Sequence, residues 1–395
     1  MKSLLLFLAL SGGALATTLV PDATNLWYNA PQAVNIAGTT HFTYVNNNGQ
    51  LYVQSLQRDG SLTPPVLLHD WKQIDDHDSP VLVQMKAGKY KDHYVAVYAR
   101  HNSDLMLRIS LRPNDLTQWQ PAVKLQENAT YPQVYVGPDE RLYIFFRRYR
   151  AGDLGLKLMT VPGDLDLGRR EERMVVRFPK DSVVYFTTTY RDGRFGLAWN
   201  YYNYVLKKHQ FLHVAVSDTR GITWSTPEGQ AIPNLNTHPP VYTQPDDLQL
   251  RAWHMQLTAE GKPIVGFMQY DREFIPCCGQ EGANLGHSQV MLYDGHVQQI
   301  DQADVTFYPS GLFVDADRRR VVYAKRENDT YQLRAFNLTD RTSCAFLKSS
   351  RPLTWPRFVE QSSGDLIATF IDWYRDLNDF RTDLLIVPAG QQTCQ

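Results

Sequence analysis

A short unit recurs seven times along this chain, and a repeat at such spacing limits the fold more than any other feature of the sequence. Each unit is a polar or glycine-containing step followed by a short apolar run: NGQLYVQSL, KDHYVAVYA, DERLYIFFR, DGRFGLAWN, GKPIVGFMQ, RRRVVYAKR and GDLIATFID. The turns fall near residues 49, 92, 139, 192, 261, 319 and 364, a spacing of about 45 to 70 residues that suits one four-stranded blade. The runs are too short for helices, and no long amphipathic helical pattern interrupts them. A ring of blades closes on itself and leaves no long free sheet edge. The pattern predicts an all-β chain, a single seven-bladed β-propeller of four-stranded antiparallel blades, in preference to a large β-sandwich or a two-domain β protein.

The stretch SDTRGITW, Ser217 to Trp224, adds a degenerate Asp-box in which Ser, Gly, Thr and Trp keep their spacing while the Asp stands one place early. With 43% hydrophobic and 21% charged residues over 395 positions, the chain has ample material for a globular core. A formal net charge of -1 argues against a chain built around nucleic acid, so an anionic partner must meet a local basic patch. The N-terminus, MKSLLLFLALSGGALATT, combines Lys2, an apolar run from Leu4 to Leu10 and an Ala14-Leu15-Ala16 ending, with no acidic residue. This reads as a secretory signal over residues 1–16, cut after Ala16. Its apolar run falls well short of the roughly 20 residues of a spanning helix. The expected mature protein is one domain over residues 17–395, secreted or periplasmic, monomeric and without a membrane partner.

In that oxidising compartment, Cys344 and Cys394 could be bridged and tie the tail to the body. Cys277 and Cys278 are neighbours in sequence, a geometry that strains a direct bridge. Together with His254 and His287 they offer thiolate and imidazole ligands suited to tetrahedral zinc. His254, Cys278 and His287 are the expected set, with Cys277 as the alternative thiolate and His209 or His213 as a further donor.

A second strand precedes each repeated turn, and its start carries a recurring pattern: HDSPVLV, TYPQVYV, AWHMQL, FYPSGLF and TWPRFVE. The start of one strand and the end of its antiparallel partner lie at the same end of a blade. His77, Tyr131, His254, Tyr308 and Trp355 are therefore expected around one mouth of the central channel. The partner ends add His101, Arg147, Asn200 and Tyr270. Two successive blades bring His77, His101, Tyr131 and Arg147 together. Arginine offers a planar fork for a carboxylate, imidazoles transfer protons near neutral pH, and a tyrosine beside a cation gains acidity. Strand alternation selects Arg147 over Arg148. The aspartates beside His77, at 75, 76 and 78, are expected to shape its turn; they lack the spacing of a calcium loop.

The motifs DDHDSP, YARHN, TYPQVY and LYIFFRR resemble successive motifs of the BNR-repeat propellers that include the ulvan lyases of polysaccharide lyase families 24 and 25. The resemblance runs from about Leu26 to the end of the chain. It implies that two histidines, a tyrosine and an arginine carry β-elimination on a uronate-containing, ulvan-type polysaccharide. In the family the tyrosine and arginine stand sixteen residues apart, the interval between Tyr131 and Arg147. The histidine pair, 24 apart here, implies a loop insertion. On this basis His77 and Tyr131 are the expected catalytic residues, and His101 and Arg147 the substrate-binding ones. The chemistry itself calls for no cofactor, and the zinc of the resembling enzymes looks structural. A sialidase-like glycoside hydrolase and a non-catalytic carbohydrate-binding propeller are the rival classes.

Overall fold

The computed structural model describes residues 17–25, 28–72, 77–271, 288–305, 311–376 and 379–392. The fold is an all-β propeller. Among the described residues the only helical segments are three single 3-10 turns, Leu167–Arg169, Leu235–Thr237 and Ala389–Gln391.

Six antiparallel sheets follow one another along the chain. The first comprises Ala33–Ile36, Thr39–Val45, Gln50–Leu56 and Val66–Asp70. The second has seven strands, from Val81–Gln84 through Val123–Val136 to Glu171–Arg177. The third runs from Ser182–Arg191 to Ala231–Ile232, the fourth from Leu248–Leu257 to Val297–Gln302, and the fifth from Leu312–Asp315 to Ser343–Ser349. The last joins Leu353–Phe358, Leu366–Asp376 and Asp379–Val387 to the N-terminal strand Thr18–Val20.

Many strands read as unbroken apolar runs rather than alternating ones, because each sheet is covered on both faces by its neighbours. Leu142–Arg148, sequence LYIFFRR, is buried at every position. Six of the seven repeated units form the second strand of a hairpin leading out from the axis. The first is one strand late: NGQLYVQSL supplies Gln50–Leu56, the third strand of its sheet. The corresponding second strand, Thr39–Val45, starts after the Gly38 turn, which the TTHFTYV pattern marks less clearly.

The degenerate Asp-box folds as a tight turn. Ser217 Oγ accepts from the backbone N–H of Thr219 (3.3 Å) and Gly221 (2.9 Å), and Trp224 is buried beneath. Serine here performs the N–H capping that a displaced aspartate does not. Cys344 is half-buried on Ser343–Ser349, while Cys394, Cys277 and Cys278 lie outside the described residues, as does the expected signal segment.

The two ends of the chain meet in one sheet. Thr18 pairs with Ile386, Leu19 with Leu385 and Val20 with Leu384. Val20 enters an apolar cluster with Phe42 of the first sheet and Ile367 and Leu384 of the last. Replacing Val20 by Asp buries an unpaired carboxylate at this seam and is expected to lower the unfolding free energy by about 3 kcal/mol. Leu19→Asp on the exposed face should change it by less than about 0.5 kcal/mol. Denaturant titration of the two variants measures the difference, and equal effects would show that the seam is not a closing contact.

Candidate active site

The first strands of successive sheets converge on the axis, and their starts gather the chemically active side chains at one end. His77 lies just before Val81–Gln84. Its carbonyl accepts from Asn29 Nδ2 (2.9 Å), which also holds the Ser79 carbonyl. Asp78 and Ser79 are fully buried, so this turn is part of the core rather than a surface loop. Asp75 and Asp76 lie outside the described residues.

Tyr131 sits within Val123–Val136 with a left-handed φ of 56°, a conformation that strains an aromatic L-residue. The register shifts here, opposite Phe145 and Arg147, so the strand carries a bulge at this point. The Tyr131 hydroxyl lies 2.8 Å from His77 Nε2. The His77 ring stacks on Tyr131 (4.7 Å between centroids, 20°) and on His101 (4.1 Å, 10°). His77 is buried and His101 exposed, so the pair leads from solvent inward.

Arg147 points to the same place. Its guanidinium carbon stands 4.6 Å from the Tyr131 ring and 5.0 Å from that of Tyr185. Next along the strand, Arg148 faces the opposite way and pairs with Asp153 and Glu172 at 3.0 Å each. Arg147 is only 3% exposed, and its Nε and Nη1 have no hydrogen-bond partner.

Three further side chains complete the arrangement. Tyr185, from Ser182–Arg191, lies between Arg147 and Arg251, whose guanidinium carbon is 4.5 Å from its ring. Burial alone would raise its phenol, but the charges of Arg147, Arg251 and His77 prevail and hold it below its ordinary value. Arg251 also lies over Tyr28 (5.0 Å) and Trp253 (5.7 Å), and those two rings stack almost parallel. His209 forms part of the wall: burial, then Arg251 and Arg147, push its imidazole well below the usual range. Asn200 bridges the wall, its Nδ2 to His209 Nδ1 (3.1 Å) and its Oδ1 to the Ala252 N–H (3.2 Å).

The sequence pattern misses Tyr185 and Arg251. Tyr185 has a signal, since it begins the strand following Tyr131's blade just as Tyr131 begins its own; Arg251 has only its place two residues before Trp253. The expected mouth position of His254 is corrected. The strand bulges between Ala252 and His254, so Trp253 faces the site and donates Nε1 to the Tyr270 hydroxyl (3.1 Å). His254 turns into the central cavity, where its Nδ1 accepts from the Val314 N–H (3.0 Å). Trp355 is buried at a comparable left-handed position, φ 47°, and Tyr308 lies outside the described residues.

Of the expected zinc ligands, only His254 is described; Cys277, Cys278 and His287 lie outside the described residues. His213 stacks on Trp199 at 4.8 Å, and His209 belongs to the site wall. Among the described residues no three His, Cys, Asp or Glu side chains converge to hold a metal ion.

A family model described as "BNR repeat-containing family member" matches residues 39–306. Among solved structures, a PL25 ulvan lyase superposes with a TM-score of 0.70 at 12% identity, covering 94% of each chain. The same scores hold for a PL25 ulvan lyase bound to -[GlcA(1-4)Rha3S]-. The polysaccharide lyase Uly1 gives a TM-score of 0.64 at 11% identity over 95% of this chain and 99% of its own. No curated protein sequence matches the chain.

The flanking guanidiniums make the Tyr185 phenol a measurable feature. In an ultraviolet titration one tyrosine is expected to ionise below the ordinary value of 10.0, and Tyr185→Phe should remove that limb. Arg251→Met takes away a charge that stabilises the phenolate, so the same limb should move to higher pH. An unchanged curve in Tyr185→Phe would assign the low value elsewhere.

Proposed function

The chain belongs to the BNR repeat-containing family, and from this we propose that it is a polysaccharide lyase that cleaves a uronate-containing polymer by β-elimination. The observation carrying this reading is Arg147: a buried guanidinium with two unpartnered nitrogens, set against Tyr131 and Tyr185 and next to the Tyr131–His77 hydrogen bond. A uronate carboxylate is the chemical match for such a group. The gathered groups are arginines, tyrosines and histidines, whereas most glycoside hydrolases work with two carboxylates flanking the bond.

In the proposed step, Arg147 and His101 bind the uronate carboxylate and neutralise the charge that develops on it as the C5 proton leaves. His77 or Tyr131 takes that proton, and Tyr185, held partly toward the phenolate by two guanidiniums, is a third candidate base. The C5–H electron pair forms the C4–C5 double bond, the C4–O4 bond breaks, and O4 receives a proton from the Tyr131–His77 pair. The products are a new reducing end and an unsaturated uronate at the other fragment's non-reducing end. Exposed Tyr149 and Tyr204, whose hydroxyls lie 3.5 Å apart, border the cleft with faces on which a sugar ring can rest.

The likeness to ulvan lyases, one of them bound to a glucuronate and sulfated rhamnose oligosaccharide, supports an ulvan-type polymer as substrate. A seven-bladed ring is the reading we favour, and the division of the seven-stranded sheet at Val123–Val136 supports it. The first half of that strand pairs with Ser103–Ile109 and the second with Leu142–Arg148, so it closes one blade and opens the next. Residues 1–16 act as a secretory signal in this reading, and a Cys344–Cys394 bridge holds the tail of the single catalytic domain.

The test is initial-rate formation of unsaturated uronate from ulvan and other uronate polymers, followed by ultraviolet absorbance. His77→Asn and Tyr131→Phe should each lower kcat by about 100-fold or more, while Arg147→Ala should also raise KM. KM should rise with ionic strength, since salt screens the attraction between a polyanion and the cleft. Saturated products would replace the lyase reading with hydrolysis, and near-normal turnover in His77→Asn would return His77 to a turn-forming role.

A further inference from the structure

Beneath the Tyr28 and Trp253 rings, the axis holds a cavity of roughly 380 Å³ that opens toward Lys86 and Gln361 and is lined in part by His254, Arg357 and Glu360. Arg357, from Leu353–Phe358, is 8% exposed. Its Nε and Nη2 have no hydrogen-bond partner, and among the described residues no carboxylate forms an ion pair with it. Glu360 is not its counter-ion. Burial, together with Asp315 and Asp317, raises the Glu360 carboxyl to about 7, where a neighbouring guanidinium would have lowered it. Asp315 is itself engaged by Arg318 and Arg320, and Asp317 by Arg191.

A buried cation without a counter-charge carries a large desolvation cost, and cavities of this kind recruit a partner when there is room for one. Desolvation already lowers the Arg357 guanidinium to about 10. The second donor follows from a tautomer. His254 Nδ1 accepts from the Val314 N–H, so the neutral imidazole carries its proton on Nε2. Arg357 and His254 both line the cavity, and both offer N–H donors with no acceptor role.

We propose that the central cavity is a binding site for a small monoanion, a halide or the carboxylate of a small organic acid, held by Arg357 and by the Nε2–H of His254. The anion supplies the charge that the described residues do not, and it joins the first strands of two separate sheets across the axis. The inference stands on the cavity and its two donors alone and is independent of the lyase reading.

Thermal unfolding of the purified full chain is followed while sodium bromide or sodium acetate is titrated, with Arg357→Met reporting the general effect of salt. Above saturation the wild-type Tm is expected to rise about 2 °C more per tenfold increase in anion than that of the variant. The larger shift, with bromide or with acetate, identifies the source of the charge. Parallel curves for the two proteins would overturn the proposal. Where Arg357→Met does not fold, bromide-soaked crystals of the wild-type protein decide: an anomalous peak in contact with Arg357 and His254 Nε2 supports the site, and an empty cavity rejects it. Zinc found on His254 Nε2 would also reject it, because a metal needs the lone pair that a donor N–H does not have.

Discussion

Pairing between Thr18–Val20 and Asp379–Val387 joins the two ends of the chain, and the geometry at the axis depends on it. Strands in an open series of sheets can splay, and an unpaired edge invites other partners. Here Val20 packs against residues of both the first and last sheets, so the seam is held by apolar burial as well as by backbone hydrogen bonds. The consequence reaches the site. His77, Tyr131, Tyr185 and Arg251 come from successive strands around the axis, and their separations of a few ångströms are set by how those strands converge.

Within that frame, the site is organised by cations placed among aromatic rings. Arg147 shares Tyr131 and Tyr185, and Arg251 shares Tyr185, Tyr28 and Trp253. A cation over a ring gains roughly 0.5 to 2 kcal/mol, rising as water is removed. A carboxylate partner would stabilise Arg147 more, but it would also occupy the face that a substrate anion needs. At Arg147 the aromatic contacts hold the charge in position while its Nε and Nη1 are left without a partner. The same field acts on the neighbours in opposite senses. It favours the Tyr185 phenolate, and it adds to burial in keeping His209 neutral.

The repeat made the all-β propeller legible, because seven turn-and-strand units at blade spacing leave few other ways to cover both faces of every strand. Arg147 and Arg148 lie on opposite faces of their strand, as alternation requires, with the ion pairs of Arg148 turned away from Tyr131. Local irregularity was harder to read. The bulges at Tyr131 and between Ala252 and His254 each insert one residue, and one residue exchanges the two faces of a strand. In the first case the bulged residue is itself the tyrosine that the pattern selected. In the second, the histidine drew attention while Trp253 took the position at the site. Tyr185 holds an equivalent place in its blade, but VVYFTTTY carries neither the proline nor the His or Trp that marks the other strand starts.

Tyr28 connects these levels. It lies between the closing strand Thr18–Val20 and the first strand of the first sheet, Ala33–Ile36. Its ring touches Tyr131, Tyr185 and Trp253 at centroid distances of 4.9, 5.5 and 6.1 Å, and its hydroxyl donates to the Ala252 carbonyl. Burial raises its phenol even against the charge of Arg251, so it remains a neutral donor and a fixed wall. With Trp253 it forms the floor of the site and the roof of the cavity below. Two buried guanidiniums, Arg251 and Arg357, act on Tyr28, while the ring itself keeps the cleft and the cavity as separate compartments. The segment that closes the ring therefore also partitions its axis.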